Sequence, residues 1–328
     1  MKLIIDESSL KNRVFFPVKM KCQPTVELEP GLIVQPKQTY VYNGNNGDIF
    51  YHGTDRYGLL KHEDFLGKIE KNLANRGYHD FAWGPDMTKE EKSEIPHREI
   101  FTDKDGGTIR ARFFLPTKEN VGNNNKDEIG ICLDSWNSIT GKKSEKMQMG
   151  AFRFVCSNGM IGFNDSVSFS KKHTGGNFGE DLGDMILDKQ FDALWGDYGK
   201  DLEVYRNMDS QVITKDQLES IIKSLPVGNP EKQRKNNHFD GIRNRFWVSE
   251  FDTDRRDRSE HTLWDLYNAT TEHITHTVEK ENGKVDLAHR MQEKVTPFFK
   301  NLSDGLRAQK PLVELLAPSE QASPPTLG

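Results

Sequence analysis

At 328 residues, with 34% hydrophobic and 10% aromatic side chains, the chain can hold one large or two medium domains and is too rich in apolar clusters for global disorder. Its 45 basic and 50 acidic residues give a net charge of -5, which excludes a simple polybasic coat for nucleic acid but leaves local basic stripes open. No run approaches the roughly 20 apolar residues that cross a bilayer, and the start MKLIIDESSLKNR is too short for a secretory signal. The three cysteines, Cys22, Cys132 and Cys156, form no CxxC pair, so a reduced, cytoplasmic compartment is expected.

Residues 1–60 read as a β-rich segment of short strands and turns. RVFFPVKMK at 13–21 and TYVY at 39–42 favour strands, and NGNNGD at 43–48 is turn chemistry. Residues 62–77 form a helical pattern, with Phe65, Leu66, Ile69 and Leu73 at three- and four-residue steps and Gly77 as C-cap. Charged residues 86–95 read as an exposed helix or loop. In TIRARFFL at 108–115, Ile109, Ala111, Phe113 and Leu115 alternate with Arg110, Arg112 and Phe114, the period of a strand. EIGICLDSW at 128–136 and MGAFRFVC at 149–156 read as further strands, the second after a turn-prone stretch at 137–146. Asn158–Gly159 is then expected to reverse the chain into a strand at 160–163. Strands this close, joined by polar turns, form an antiparallel meander.

Beyond the strands, HTGGNFG at 173–179 is a loop, and residues 180–195 carry a helical stripe. Residues 214–225 make a cleaner helix, because Thr214 and Gln217 have capping-box spacing. The clearest helix is 259–278, with Leu263, Leu266, Tyr267, Thr270 and Ile274 on one face; 287–302 adds another. From 318 the Pro/Ser-rich tail is expected to be disordered. The fold expected is α+β: a central antiparallel sheet of β-β-β-α type from residues 100–170, covered on one face by helices from 180–225 and 259–302. The organisation expected is an N-terminal segment at 1–60, a main domain at 61–302 and a C-terminal segment at 303–328.

NSITG at 137–141, followed by FRFVCSNGM at 152–160, resembles a phage- and plasmid-encoded family labelled as a domain of unknown function. TLWDLYNATTEHITH at 262–276 supports that resemblance in the expected order, and the match spans roughly residues 60–300. The family resemblance implies a mobile-element protein but carries no settled activity. The strand-and-helix order is also similar to the core of single-strand annealing recombinases, a likeness of architecture alone.

The basic residues around the meander are the leading site candidates. Arg110, Arg112, Lys142, Lys143, Lys146, Arg153, Lys171 and Lys172 could converge if the strands pair consecutively, with Phe114, Trp136 or Phe154 to stack bases. A solvated sheet face with lysines in its turns is the competing reading. Arg243 and Arg245 beside Phe246 and Trp247 read as an amphipathic strand, and DTDRRDR at 252–258 as a salt-bridged loop.

His273 and His276 stand three apart on a helix, near Glu272 and His261. Zinc helices usually space histidines by four, so structural or surface roles fit better. HTGGNFG lacks the GxxxxGK[ST] of a phosphate loop, and Cys156 has no histidine placed to activate it. Asp181, Asp184 and Asp188 share a helical face that would suit Mg²⁺, although a solvated face is commoner. The expectation is therefore a nucleic-acid-binding protein without a catalytic group or cofactor, a homo-oligomer acting on single-stranded DNA. A metal-dependent nucleic-acid enzyme and a factor binding host proteins are the alternatives.

Overall fold

The alternating segment at 108–115 builds the spine of the molecule. In the computed structural model, which describes residues 2–4, 6–23, 26–29, 32–35, 37–54, 56–121, 128–142, 144–153, 160–171, 184–228, 238–248 and 260–317, it lies in strand β9 (Thr108–Asn120). Strands β8 (His97–Thr102), β10 (Glu128–Ser138), β11 (Glu145–Arg153) and β12 (Met160–Lys171) join it in the order β8-β9-β10-β11-β12, every pair antiparallel. Two short strands extend the β8 edge: β1 (Lys2–Leu3) runs antiparallel to it and β7 (Ala82–Trp83) parallel. The expected α+β architecture with an antiparallel sheet is what the chain forms.

The pleat sorts the strands into two unlike faces. Ile109, Ala111, Phe113 and Leu115 join Ile131, Leu133, Met147 and Met149 in the main apolar core, with Phe65, Leu66, Ile69 and Leu73 of helix α2 (His62–Ala74). The other face carries Glu99, Arg110, Arg112, Asp134, Trp136 and Gln148, all buried. It is covered by the C-terminal helical segments, so helical structure lies against both faces. A polar face closed this way needs partners inside the protein.

A short helix, α3 (Lys89–Glu94), precedes β8, and beyond the sheet α4 (Asp184–Asp209) places Tyr205 and Met208 in the core. Helix α5 (Lys215–Ser224) starts with the expected capping box, Thr214 accepting from the Gln217 amide and Gln217 from the Thr214 amide. Helix α6 (His238–Val248) packs beside α7 (Leu263–His273), which is buried along its whole length. The chain then widens into a π-helical stretch, Ile274–Glu281, and continues as α8 (Val285–Arg307).

Three sequence expectations are corrected. Arg243–Trp247 lies in helix α6, not in a strand; Phe239, Ile242 and Phe246 recur at three- and four-residue steps and are its buried face. The strand expected from Arg13 begins only at Val18, because Ser9–Arg13 is a helical turn, α1. Asn137 and Ser138, read as turn, are still paired in β10.

The N-terminal segment supplies more than strand β1. Strands β2 (Val18–Gln23), β5 (Gln38–Asn43) and β6 (Ile49–Thr54) form a separate three-stranded antiparallel sheet. A hairpin of β3 (Val26–Glu29) and β4 (Leu32–Gln35) continues beyond the β2–β5 pair. Phe16, Val18, Val41 and Tyr57 form a small core with Ile139, seating this sheet against the β10–β11 turn. Gly106 in the β8–β9 turn has φ +73°, and a Cβ there would meet the Arg13 carbonyl oxygen at 2.2 Å, so this corner admits only glycine. The tail from 318, expected to be disordered, lies outside the described residues.

Candidate functional site

Charge is concentrated where the polar sheet face meets the C-terminal helices. Asp134 pairs in register with Arg112, but its hydrogen bonds come diagonally from Arg110, with Nη2 at 2.7 Å from Oδ2 and Nε at 2.8 Å from Oδ1. Arg112 is thereby left to Glu279 in the π-helical stretch, its Nη2 donating to Oε2 at 2.7 Å. All four side chains are at most 1% exposed. The planar fork of arginine matches a carboxylate with two parallel bonds, which is why this residue type suits a buried pair.

Aromatic rings complete the enclosure. The Arg110 guanidinium lies 4.8 Å from the Trp136 ring centre, and that of Arg112 lies 5.1 Å from Phe101. His289 of α8 approaches Trp136, with Nδ1 3.7 Å from Asp134 and Nε2 3.3 Å from Glu293. Lys146 donates to Glu293 from the sheet side.

The electrostatics follow from this packing. Burial alone would raise the Asp134 carboxyl, but Arg110 and Arg112 outweigh it and hold it below its ordinary value. Burial pulls Arg112 down, yet Glu279 and Asp134 raise it overall. Glu293 falls to about 2, chiefly through the hydrogen bond from His289, then that from Lys146, against the opposing effect of burial. His289 is lowered, mainly by burial. Two arginines balance two carboxylates, and Lys146 balances Glu293. The arrangement ties the π-helical stretch and α8 to the sheet.

The cations singled out from sequence fall into different environments. Arg110 and Arg112 do share one face, but both are buried with carboxylates on their guanidiniums and are not offered to solvent as a phosphate track. Lys146 is partly buried on Glu293. Lys142 is exposed in the β10–β11 turn. Lys171 ends β12 opposite Glu145, close to that turn, whereas Arg153 ends β11 opposite Met160 at the far end of the sheet. Phe114 and Trp136 are buried rather than open to stacking. Lys143, Lys172, Phe154, Cys156, Asp181, HTGGNFG and DTDRRDR lie outside the described residues.

The histidines form a pair that the sequence did not suggest. His273 meets His238, 35 positions earlier on α6, with ring nitrogens 3.0 Å apart. Gly241 makes the room, since a Cβ there would come within 2.4 Å of His273 Cε1. Burial, then His238 and Arg245, lower His273 to about 4, so its neutral form is favoured. His261 packs against Phe246 and Trp247 instead of joining them. No three His, Cys, Asp or Glu side chains among the described residues are grouped to hold a metal. Nor is any helix among them long and apolar enough to cross a membrane.

Residues 82–296 match a family described as Domain of unknown function (DUF932). The chain belongs to that family. Neither a curated protein nor a solved structure matches it. The DUF932 segment runs from β7 into α8 and contains every member of the buried network, both arginines, Asp134, Lys146, Glu279, His289 and Glu293. The three-stranded N-terminal sheet lies ahead of it. The strand alternation is the signal that placed Arg110 and Arg112 on one face; no local signal marks Glu279, which is 167 positions from Arg112.

Proposed function

We propose that the chain is a non-enzymatic nucleic-acid-binding protein of a phage or plasmid, acting on single-stranded DNA as an annealing protein and working as a homo-oligomer. The observation that carries this reading is the end of the main sheet where the exposed Lys142 turn and the Lys171 end of β12 lie side by side. Cations at one rim suit a phosphate chain, whose attraction is long-ranged and independent of base sequence. The meander β9–β12, leading to the 26-residue helix α4, agrees with the strand-and-helix order of annealing recombinases. Annealing requires a groove that holds the backbone and presents bases, and it needs no catalytic group. The buried arginines then act as the internal brace of the sheet, and the phosphate contacts fall to the rim lysines.

Gel-shift and strand-annealing assays at two salt concentrations test this. Binding of single-stranded DNA that weakens with salt, accelerated annealing, and a large particle on gel filtration are expected. Lys142→Ala together with Lys171→Ala should weaken binding. Absence of binding at low salt would sink the proposal.

A further inference from the structure

The small N-terminal sheet has one face packed and the other open. Val18 and Val41 turn inward to Phe16, Tyr57 and Ile139. The strand registers arrange the opposite face in rows across β2, β5 and β6. Lys21, Tyr40 and His52 form one row, and Lys19, Tyr42 and Ile49 the next. Lys19, Lys21, His52 and Ile49 are exposed, and the two tyrosines are half-buried. Tyr40 and His52 stack with ring centres 4.5 Å apart and planes within 10°. Their polar tips meet at Gln38, whose Oε1 accepts from the Tyr40 hydroxyl at 2.9 Å and contacts the His52 ring nitrogen. Neither Lys19 nor Lys21 has an ion-pair partner among the described residues.

The geometry points to this open face as a base-stacking platform for single-stranded nucleic acid, with Tyr42 and the outer ring faces of the stacked Tyr40–His52 pair receiving bases and Lys19 and Lys21 receiving phosphates. This rests on the nucleic-acid reading above and supplies it with a site, one that lies outside the family match. Residues two apart on a strand stand roughly 7 Å apart on one face, so Tyr40 and Tyr42 can each take a base of an extended strand. Flat rings beside exposed cations are complementary to a polymer that alternates bases with negative phosphates. An acidic polypeptide would use the lysines but would leave the ring faces without a partner. A duplex, whose bases are already stacked on each other, would do the same. Ile49, at the edge of the open face, lines one cleft with Lys142 of the β10–β11 turn.

Fluorescence anisotropy of the full chain with a labelled oligothymidylate tests the platform, with duplex DNA and polyglutamate as competitors. Lys19→Ala with Lys21→Ala should reduce the slope of log affinity against log salt by about 1.4, ~0.7 for each lost phosphate contact. Tyr40→Leu with Tyr42→Leu should weaken binding roughly tenfold or more, and Tyr40→Phe with Tyr42→Phe should restore it. Photo-crosslinking with iodouracil-substituted oligonucleotide gives a readout on the unaltered protein, and crosslinked peptides should contain Tyr40 or Tyr42. If the wild type binds the oligonucleotide while all these variants bind equally well and crosslinks fall elsewhere, the platform is wrong and the wider nucleic-acid reading stands. Sensitivity to the lysines alone, with polyglutamate competing as well as oligothymidylate, would also overturn stacking. No binding by the wild type overturns both.

Discussion

Asp134 faces Arg112 across the sheet yet accepts its hydrogen bonds from Arg110, two positions along the same neighbouring strand. The displacement makes the network possible. Had Asp134 taken its direct neighbour, Arg110 would be left beneath Trp136, with Glu279 3.7 Å away as its remaining carboxylate. The diagonal pairing sends each arginine to a separate acid and recruits the π-helical stretch to the sheet.

The first prediction concerns this pair. Removing one partner of a buried ion pair strands the other charge in a medium that cannot solvate it, at a cost of about 3–5 kcal/mol. Asp134→Ala should therefore lower unfolding free energy by that amount in urea titrations. Replacing both partners, Arg110→Met with Asp134→Leu, should cost clearly less than the single change. A double variant as unstable as the sum of the singles would show that the two residues act separately.

Much of this scaffold was legible in the sequence. The two-residue period of 108–115 identified β9 and put both arginines on one face, and Thr214 with Gln217 announced the start of α5. The use of that arginine face was not legible, because alternation says which residues share a face and not what will cover it. Its cover comes from Glu279 and His289, far along the chain, and only the folded topology brings them to β9 and β10. The same holds for His273, whose partner His238 sits on another helix. Arg243–Trp247 misled for a different reason. A short segment mixing cations and aromatics satisfies either period, and the neighbouring Phe239 and Ile242 decide for a helix.

The second prediction is a pH dependence set by His273. Its value in the folded protein, about 4, lies below the ordinary 6.5, so the unfolded chain binds more protons between those limits. Its neutral state therefore contributes stability that is fully present above pH 6.5 and lost as pH falls towards 4. The gap corresponds to ~3 kcal/mol at most. His238 is also lowered, by burial and then Lys284, and adds in the same direction. Thermal melting across this range should show a steep acid-side decline, and His273→Gln should flatten it. An unchanged profile in that variant would assign the decline to other groups. Glu293 acts lower, its contribution fading as pH drops from 4.5 towards 2.

Gly241 provides a third prediction, on packing. A methyl group there would sit 2.4 Å from His273 Cε1 and 2.7 Å from Nδ1, so the ring must move and the α6–α7 contact must loosen. Gly241→Ala should cost about 1–3 kcal/mol, typical of an overfilled interior, although alanine is the better helix former. Combined with His273→Ala it should cost less than the two changes added, because the new methyl group partly fills the space the ring vacates. Denaturant titrations of the four-member cycle measure that coupling.

The last prediction separates local from global stability at Glu279. This residue occupies the π-helical stretch, where the backbone bonds lie outside the regular α-helical ladder, and its carboxylate is anchored by Arg112. Glu279→Gln keeps the size of the side chain but removes the charge that answers a buried guanidinium. The Arg112 charge would then lean on Asp134, 3.9 Å from its Nε and already committed to Arg110. Two effects should appear together: a fall of about 3–5 kcal/mol in global stability, and faster amide exchange concentrated in Ile274–Glu281. Because Asp134 stays in place, exchange in β9 and β10 should rise only as far as the global loss requires. Uniform acceleration across the chain, with no excess in the π-helical stretch, would mean that Glu279 neutralises Arg112 without anchoring the helix. A local excess would establish the ion pair as the clamp that holds the C-terminal helices on the polar face of the sheet.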